Sequence, residues 1–173
     1  SAVINADDPT GMEWLESLPS TVSSIANSMS GPVPGVATVS AGNVQYSLSG
    51  IRMDILTPAG EAVLTTGLLG HFNAENSLAA MAVLLQLGVS LDEAVRLLES
   101  TEPVAGRMQR LGDESRALIV VDYAHTPDAL EQVLRALRAH SDGRILCVFG
   151  CGGDRDDVAV PDQMALSRQG GVG

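Results

Sequence analysis

The sequence predicts an α/β fold, and three observations carry that reading. Leu118-Ile119-Val120-Val121 is an apolar run with no polar alternation, the pattern of a strand buried on both faces in a parallel sheet. A helix opens directly after it: Thr126 suits the cap, Pro127 the first turn, and Asp128 faces the positive end of the dipole. A second apolar run, Arg144 to Phe149, then enters the loop Gly150-Cys151-Gly152-Gly153-Asp154-Arg155-Asp156. Strand, helix, strand and glycine loop read as one right-handed βαβ unit. Asp122 therefore stands at the carboxyl end of a strand, where open α/β sheets hold their ligands.

Ala2 to Asn5 reads as a short strand, closed by the turn-forming run Asp7-Asp8-Pro9-Thr10-Gly11. Met12 to Leu18 fits a short helix with Trp14, Leu15 and Leu18 on one side. Residues 19–35 are rich in Ser, Pro and Gly and are expected to form a long surface connection. From about Val36 to Thr66, Val44/Tyr46/Leu48 and Ile51/Met53/Ile55 alternate with polar neighbours between turn signals. That pattern predicts an antiparallel meander with one wet face, read as a structural flap. Leu69 to Asn76 opens an apolar helix over Ser77 to Leu87, ended by Gly88. Ser90-Leu91-Asp92-Glu93 is a capping box for a further helix reaching about Ser100, with Ala94, Leu97 and Leu98 on its buried side. Thr101 to Gly106 breaks the pattern and marks a domain boundary. Arg107 to Leu111 looks extended, Gly112 to Ser115 a turn, and the helix from Pro127 to about Ala139 turns Leu130, Val133, Leu134 and Leu137 inward.

Composition bounds the function. The chain has 173 residues, 45% hydrophobic and 3% aromatic, with no apolar run of membrane-spanning length. Twenty-one acidic against ten basic residues give a formal charge of −11, a surface that repels phosphate backbones and disfavours a nucleic-acid partner. Two cysteines, Cys147 and Cys151, are too few for a disulfide framework, Cys147 reads as a small core residue, and the cytoplasm is the expected location. The chain starts within a strand and loses periodicity from Asp157 to Gly173, so an excerpt of a longer chain is expected.

Several residues carry chemistry in two readings. Three glycines after Phe149 would let backbone N–H groups approach an anion, and Arg155 between Asp154 and Asp156 would grip a carboxylate; a plain strand–turn with a surface ion pair fits equally. Asp122 would accept from a ribose or cap the next helix. His125 would transfer a proton near neutral pH or simply bond a neighbouring backbone group. Asn73 and Asn76 would cap a helix or read an adenine edge. Arg107 would lie across a bound nucleotide between domains. No Cys/His/Glu spacing suggests a metal cage.

Four stretches together are more specific than any one. Gly70-His71-Phe72-Asn73-x-x-Asn76, Gly106-Arg107-Met108, Asp122 to Asp128 and Gly150 to Asp156 occur in this order in the Mur ligases, and the last two resemble the MurE-like branch. Ala2 to Asp8 also resembles a segment of that family's central domain. The resemblance implies that residues 1–105 are the latter part of a central ATPase domain, with its antiparallel β excursion and helical pair. Residues 106–173 would begin a Rossmann-like C-terminal ligase domain. It implies ATP-dependent amide formation with Mg²⁺, through an acyl phosphate on a UDP-MurNAc-dipeptide, in a cytoplasmic, monomeric enzyme of peptidoglycan precursor synthesis. It further implies that Asn73 and Asn76 contact adenine, and that Arg107 and Asp122 hold the nucleotide across the domain seam. His125 would organise that loop. Arg155, supported by Gly152, Gly153 and Asp154, would pair with a carboxylate of the amino acid, meso-diaminopimelate.

Two departures stand beside the resemblance. No G-x-x-G-K-[ST] loop lies in these residues, nor the family's carbamylated lysine, so these and the Mg²⁺ ligands are expected upstream. After Asp156 the sequence is acidic and apolar where the family is basic, and no Asp-Asn-Pro-Arg segment follows, so diaminopimelate rests on Arg155 alone. The alternatives are a cyanophycin- or folylpolyglutamate-synthetase-like ligase, or a non-catalytic nucleotide-binding module. A simple NAD-type protein fits less well because its glycine spacing differs.

Overall fold

The computed structural model describes residues 1–112 and 117–150, and its backbone divides into two compact units, residues 1–102 and 103–173.

The first unit is built on a five-stranded mixed sheet in the order β1-β2-β3-β4-β5. β1 (Ala2–Asn5), β2 (Ser24–Ser28) and β3 (Thr38–Ser47) run parallel; β4 (Gly50–Thr57) and β5 (Gly60–Thr66) continue the sheet antiparallel. The expected flap is therefore the continuation of the parallel strands, bent by an irregularity between Ala41 and Val44. β2 corrects the surface connection expected over residues 19–35. Its Ile25, Ala26, Asn27 and Ser28 are all buried, because a strand paired on both edges is covered whatever its polarity.

The turn expected at Asp7 to Gly11 is instead the start of α1 (Pro9–Ser17): Asp8 caps it by accepting from the N–H groups of Thr10 and Gly11, and Pro9 takes the first position. Gly11 lies so close to β1 that a Cβ there would meet the Asn5 carbonyl oxygen. That approach fixes which side of α1 faces the sheet, and Trp14, expected on one side of the helix with Leu15 and Leu18, is 61% exposed. Asp7 ties two strand ends together, its Oδ1 accepting from Ser28 Oγ at 2.8 Å and its Oδ2 from the Met29 N–H at 2.6 Å.

α2 (His71–Gln86) begins six residues before the Ser77 start of its apolar run. Ala74, Leu78, Met81 and Ala82 pack with Ile25, Val39, Ile51, Met53, Ile55 and Leu64 in a single apolar cluster. Burying side chains the size of Leu78 or Met81 contributes about 1.5–3 kcal/mol each. The helix ends in a Schellman arrangement, Val89 N–H to Leu84 O and Gly88 N–H to Leu85 O, with Gly88 at φ +83°. α3 (Leu91–Glu99) is capped by Ser90, whose hydroxyl accepts from the Glu93 N–H. The reciprocal half of the capping box is not made, since the Glu93 carboxylate turns to Arg96 at 2.9 and 2.5 Å. Leu91, Ala94, Val95 and Leu98 face the core, the i, i+3, i+4, i+7 stripe, which leaves Leu97 outward.

In the second unit β6 (Gln109–Leu111) pairs antiparallel with β7 (Ile119–Val121), and α4 (Pro127–His140) follows. Thr126 caps α4 through the Ala129 N–H, Leu130 and Leu134 are buried, and Arg138 reaches over the C-terminus to the Gly143 carbonyl at 2.6 Å. Two expectations are corrected. β7 is not buried on both faces, with Ile119 57% and Val121 40% exposed, and residues 144–150 form no regular strand. A strand is defined by its hydrogen-bonded neighbours, and among the described residues nothing pairs with 144–150. Cys147 is half-buried, and burial pushes its thiol pKa up.

Candidate functional site

In the first unit the glycine of Gly70-His71-Phe72-Asn73 sets the local geometry. Gly70 occupies the N-cap of α2 at φ +92°, and a Cβ there would lie 2.8 Å from the Phe72 ring. With glycine in that place no side chain caps the helix, which corrects the capping role expected for Asn73 and Asn76. Asn73 instead donates backwards from Nδ2 to the Leu69 carbonyl at 2.7 Å, and its own carbonyl accepts from Ser77 Oγ at 2.7 Å. Asn76, three residues on, is exposed on the same face of the helix. Between them Glu75 acts on Tyr46 of β3, whose phenol pKa is raised by burial first and by the Glu75 charge second.

In the second unit Arg107, Asp122 and His125 come together around a residue that sequence reasoning passed over, Tyr123. The register of β6 and β7 pairs Gln109 with Val121, which puts Met108 and Asp122 at the next step of the ladder. There the Asp122 side chain replaces a backbone acceptor: Oδ2 takes the Met108 N–H at 2.9 Å and Oδ1 takes the Ala124 N–H at 2.8 Å. Asp122 does not cap α4, because Thr126 does. Arg107 is exposed, and its guanidinium carbon lies 5.5 Å from the centre of the Tyr123 ring, within cation–π range. The Tyr123 and His125 rings are 5.0 Å apart, and His125 Nδ1 is 2.9 Å from the Tyr123 carbonyl oxygen. His125 thus bonds a neighbouring backbone group, the plainer of its two readings. The signal that was available for Tyr123 is its position, one residue after a strand-end acid and two before a histidine.

Arg155 and its supporting Gly152, Gly153 and Asp154 lie outside the described residues. Among the described residues no group of three or more His, Cys, Asp or Glu side chains gathers as a metal site. A hollow of about 430 Å³ between Pro32 and the strands β3 to β5 involves none of the residues singled out from the sequence.

Comparison with known proteins adds the following. Residues 1–84 match the sequence pattern of the Mur ligase middle domain, and residues 106–169 that of the "Mur ligase, glutamate ligase domain". Two relatives carry the name UDP-N-acetylmuramoyl-L-alanyl-D-glutamate--2,6-diaminopimelate ligase. The Pseudomonas syringae pv. tomato protein is 48% identical over 158 residues, covering 89% of this chain and 31% of its own length. The Coxiella burnetii protein is 39% identical over 170 residues, covering 98% of this chain and 35% of its own. The chain thus spans about a third of the length of these relatives. A solved structure of a ligase of the same name superposes with a TM-score of 0.77 at 36% identity over 98% of this chain and 34% of that one. MurF from Acinetobacter baumannii shares the fold, with a TM-score of 0.74 at 24% identity over 98% of this chain and 35% of that one.

Proposed function

Since this chain belongs to the Mur ligase family, we propose that its protein is an ATP-dependent amide ligase. The reaction is addition of an amino acid, meso-diaminopimelate, to UDP-MurNAc-L-Ala-D-Glu in the cytoplasm. Residues 1–105 are read as the latter part of the central domain and 106–173 as the start of the C-terminal one. The names of the relatives support the substrate pair.

The observation that carries the nucleotide reading is the Arg107–Tyr123–His125 group at the end of β7, held together by the Asp122 carboxylate. The nucleotide-binding residues on this reading are Asn73, Asn76, Arg107 and Asp122. Asn76 and Arg107 are exposed and able to touch a ligand directly. Asn73 and Asp122 bond the backbone and hold those places in shape. A base edge suits the amide of Asn76, which donates and accepts side by side, and the anionic side of a nucleotide suits Arg107. ATP supplies the phosphoryl group that activates the acceptor carboxylate. Among the described residues no group of three or more His, Cys, Asp or Glu side chains would hold Mg²⁺. Arg155 would grip a carboxylate of the incoming amino acid in the two-pronged way guanidinium allows.

The test is phosphate release by the complete protein with ATP, Mg²⁺ and UDP-MurNAc-L-Ala-D-Glu. Release is expected to depend on meso-diaminopimelate and to be at least tenfold weaker with lysine. Equal use of lysine would refute the amino-acid assignment, and no release with either would refute the ligase reading. The 173-residue chain alone, without a G-x-x-G-K-[ST] loop, is expected to support none.

A further inference from the structure

We propose that Gly50, at the turn between β3 and β4, is a positioning residue for the nucleotide. Its missing side chain lets the turn seat against the end of β5, and that seat sets where Asn73 and Asn76 reach the ligand. The proposal rests on the reading of those asparagines as nucleotide-binding residues and adds what holds them in place.

Gly50 opens β4 at φ +136°, a backbone region that L side chains rarely adopt. A Cβ there would stand 1.9 Å from the Thr66 carbonyl oxygen and 2.9 Å from the Gly67 Cα. Close C···O contacts come down only to about 3.3 Å, so no other residue fits without parting the two backbones. β4 is not the side that yields, because Ile51 and Met53 are 1% and 0% exposed in the core. Gly67 is exposed, and the loop after β5 gives way there.

That loop leads straight to the asparagines. Thr66, the last residue of β5, is buried and pairs with Ile51, and its Oγ1 accepts from the Leu68 N–H at 3.3 Å. Leu69 is buried too, and its carbonyl accepts from Asn73 Nδ2 at 2.7 Å. The Gly70 carbonyl accepts from the Asn73 N–H at 3.0 Å. From the Gly50 seat to Asn73 the chain is therefore pinned on both sides of Gly67, and Asn76 follows on the same helix. The hairpin faces that helix a second time through Tyr46, which pairs with Ile51 and packs against the apolar cluster. Its phenol pKa is raised by burial and then by the charge of Glu75, which stands between Asn73 and Asn76.

The experiment uses the complete protein with Gly50→Ala, Thr66→Val, Asn76→Ala and Gly88→Ala. It measures KM for ATP, KM for the UDP-MurNAc-dipeptide, kcat and the urea midpoint. Gly50→Ala is expected to raise KM for ATP on the order of tenfold, since a shift of about 1 Å misaligns a binding group. Thr66→Val removes the acceptor of the Leu68 N–H and is expected to raise it about threefold, the effect of one hydrogen bond. Neither is expected to change KM for the dipeptide. Gly88→Ala loosens the far end of α2, where a Cβ meets nothing, and is expected to lower the urea midpoint with KM for ATP unchanged. A KM for ATP that rises in Gly88→Ala as the midpoint falls would mean that KM follows stability, and would overturn the proposal. So would an unchanged KM for ATP in Gly50→Ala beside a raised one in Asn76→Ala. An unchanged KM in Asn76→Ala would instead defeat the reading of the asparagines on which the proposal stands. Should Gly50→Ala fail to fold, Thr66→Val carries the test alone, and an unchanged KM for ATP there overturns the proposal.

Discussion

Glycines show most directly how one residue sets local structure in this chain. Gly70 and Gly88 bracket α2, both in the left-handed region at φ +92° and +83°, but their surroundings differ. A Cβ at Gly88 meets nothing within 4 Å, whereas one at Gly70 lies 2.8 Å from the Phe72 ring. Gly88→Ala is therefore expected to lose about 1 kcal/mol through the backbone alone. Gly70→Ala adds displacement of Phe72 and is expected to lose more, about 2–3 kcal/mol. Urea titration of both variants checks the order, and equal losses would show that the Phe72 ring yields freely. The glycine before His71 was visible in the sequence, but its conformation was not. Without it, Asn73 and Asn76 were natural candidates for a cap that the backbone of Gly70 makes unnecessary. Asp122 has the same history: a strand-end acid was evident, while its two N–H partners, one of them fourteen residues away, depend on the register of β6 against β7.

The elements were legible where their signals are local. The caps at Ser90 and Thr126, the Gly88 terminus and the inward faces of α3 and α4 follow from short-range patterns, with Leu97 the exception on α3. β2 was not legible, because Ser24-Ile25-Ala26-Asn27-Ser28 has the composition of a loop and becomes a strand only between β1 and β3. Its attachment is chemical as well as steric. Burial pushes the Asp7 carboxyl up, but hydrogen bonds from the Met29 backbone, Ser30 and Ser28 outweigh it and hold the pKa below the ordinary value. A depressed carboxylate contributes stability above its unfolded pKa and loses it as pH falls through the folded one. The wild-type melting temperature is thus expected to fall more steeply than that of Asp7→Asn as pH drops below roughly 4. Parallel pH profiles for the two proteins would remove Asp7 from the linkage between β1 and β2.

Taken as a whole, the first unit is held by one cluster that joins the mixed sheet to α2 and α3. Met53 and Leu97 measure how far position decides energetics: Met53 is fully buried in that cluster, and Leu97 is 38% exposed. Met53→Ala is expected to cost about 2–5 kcal/mol and Leu97→Ala under about 1 kcal/mol. Comparable losses in chemical denaturation would contradict the inward stripe assigned to α3. The second unit is different, since Ile119, Leu146 and Val148 stand 57%, 62% and 97% exposed among the described residues. Apolar runs announce that such residues seek cover without naming what provides it. The amino-acid order alone therefore determined the α/β class, the helix ends and the four motifs that mark the family, because each is written within a few neighbouring residues. Strand neighbours, the buried status of β2, the close approach of Gly50 to Thr66 and the grouping of Arg107 with Tyr123 and Asp122 came from the folded chain. Those features are contacts between distant segments, and no local preference specifies which distant segment will arrive.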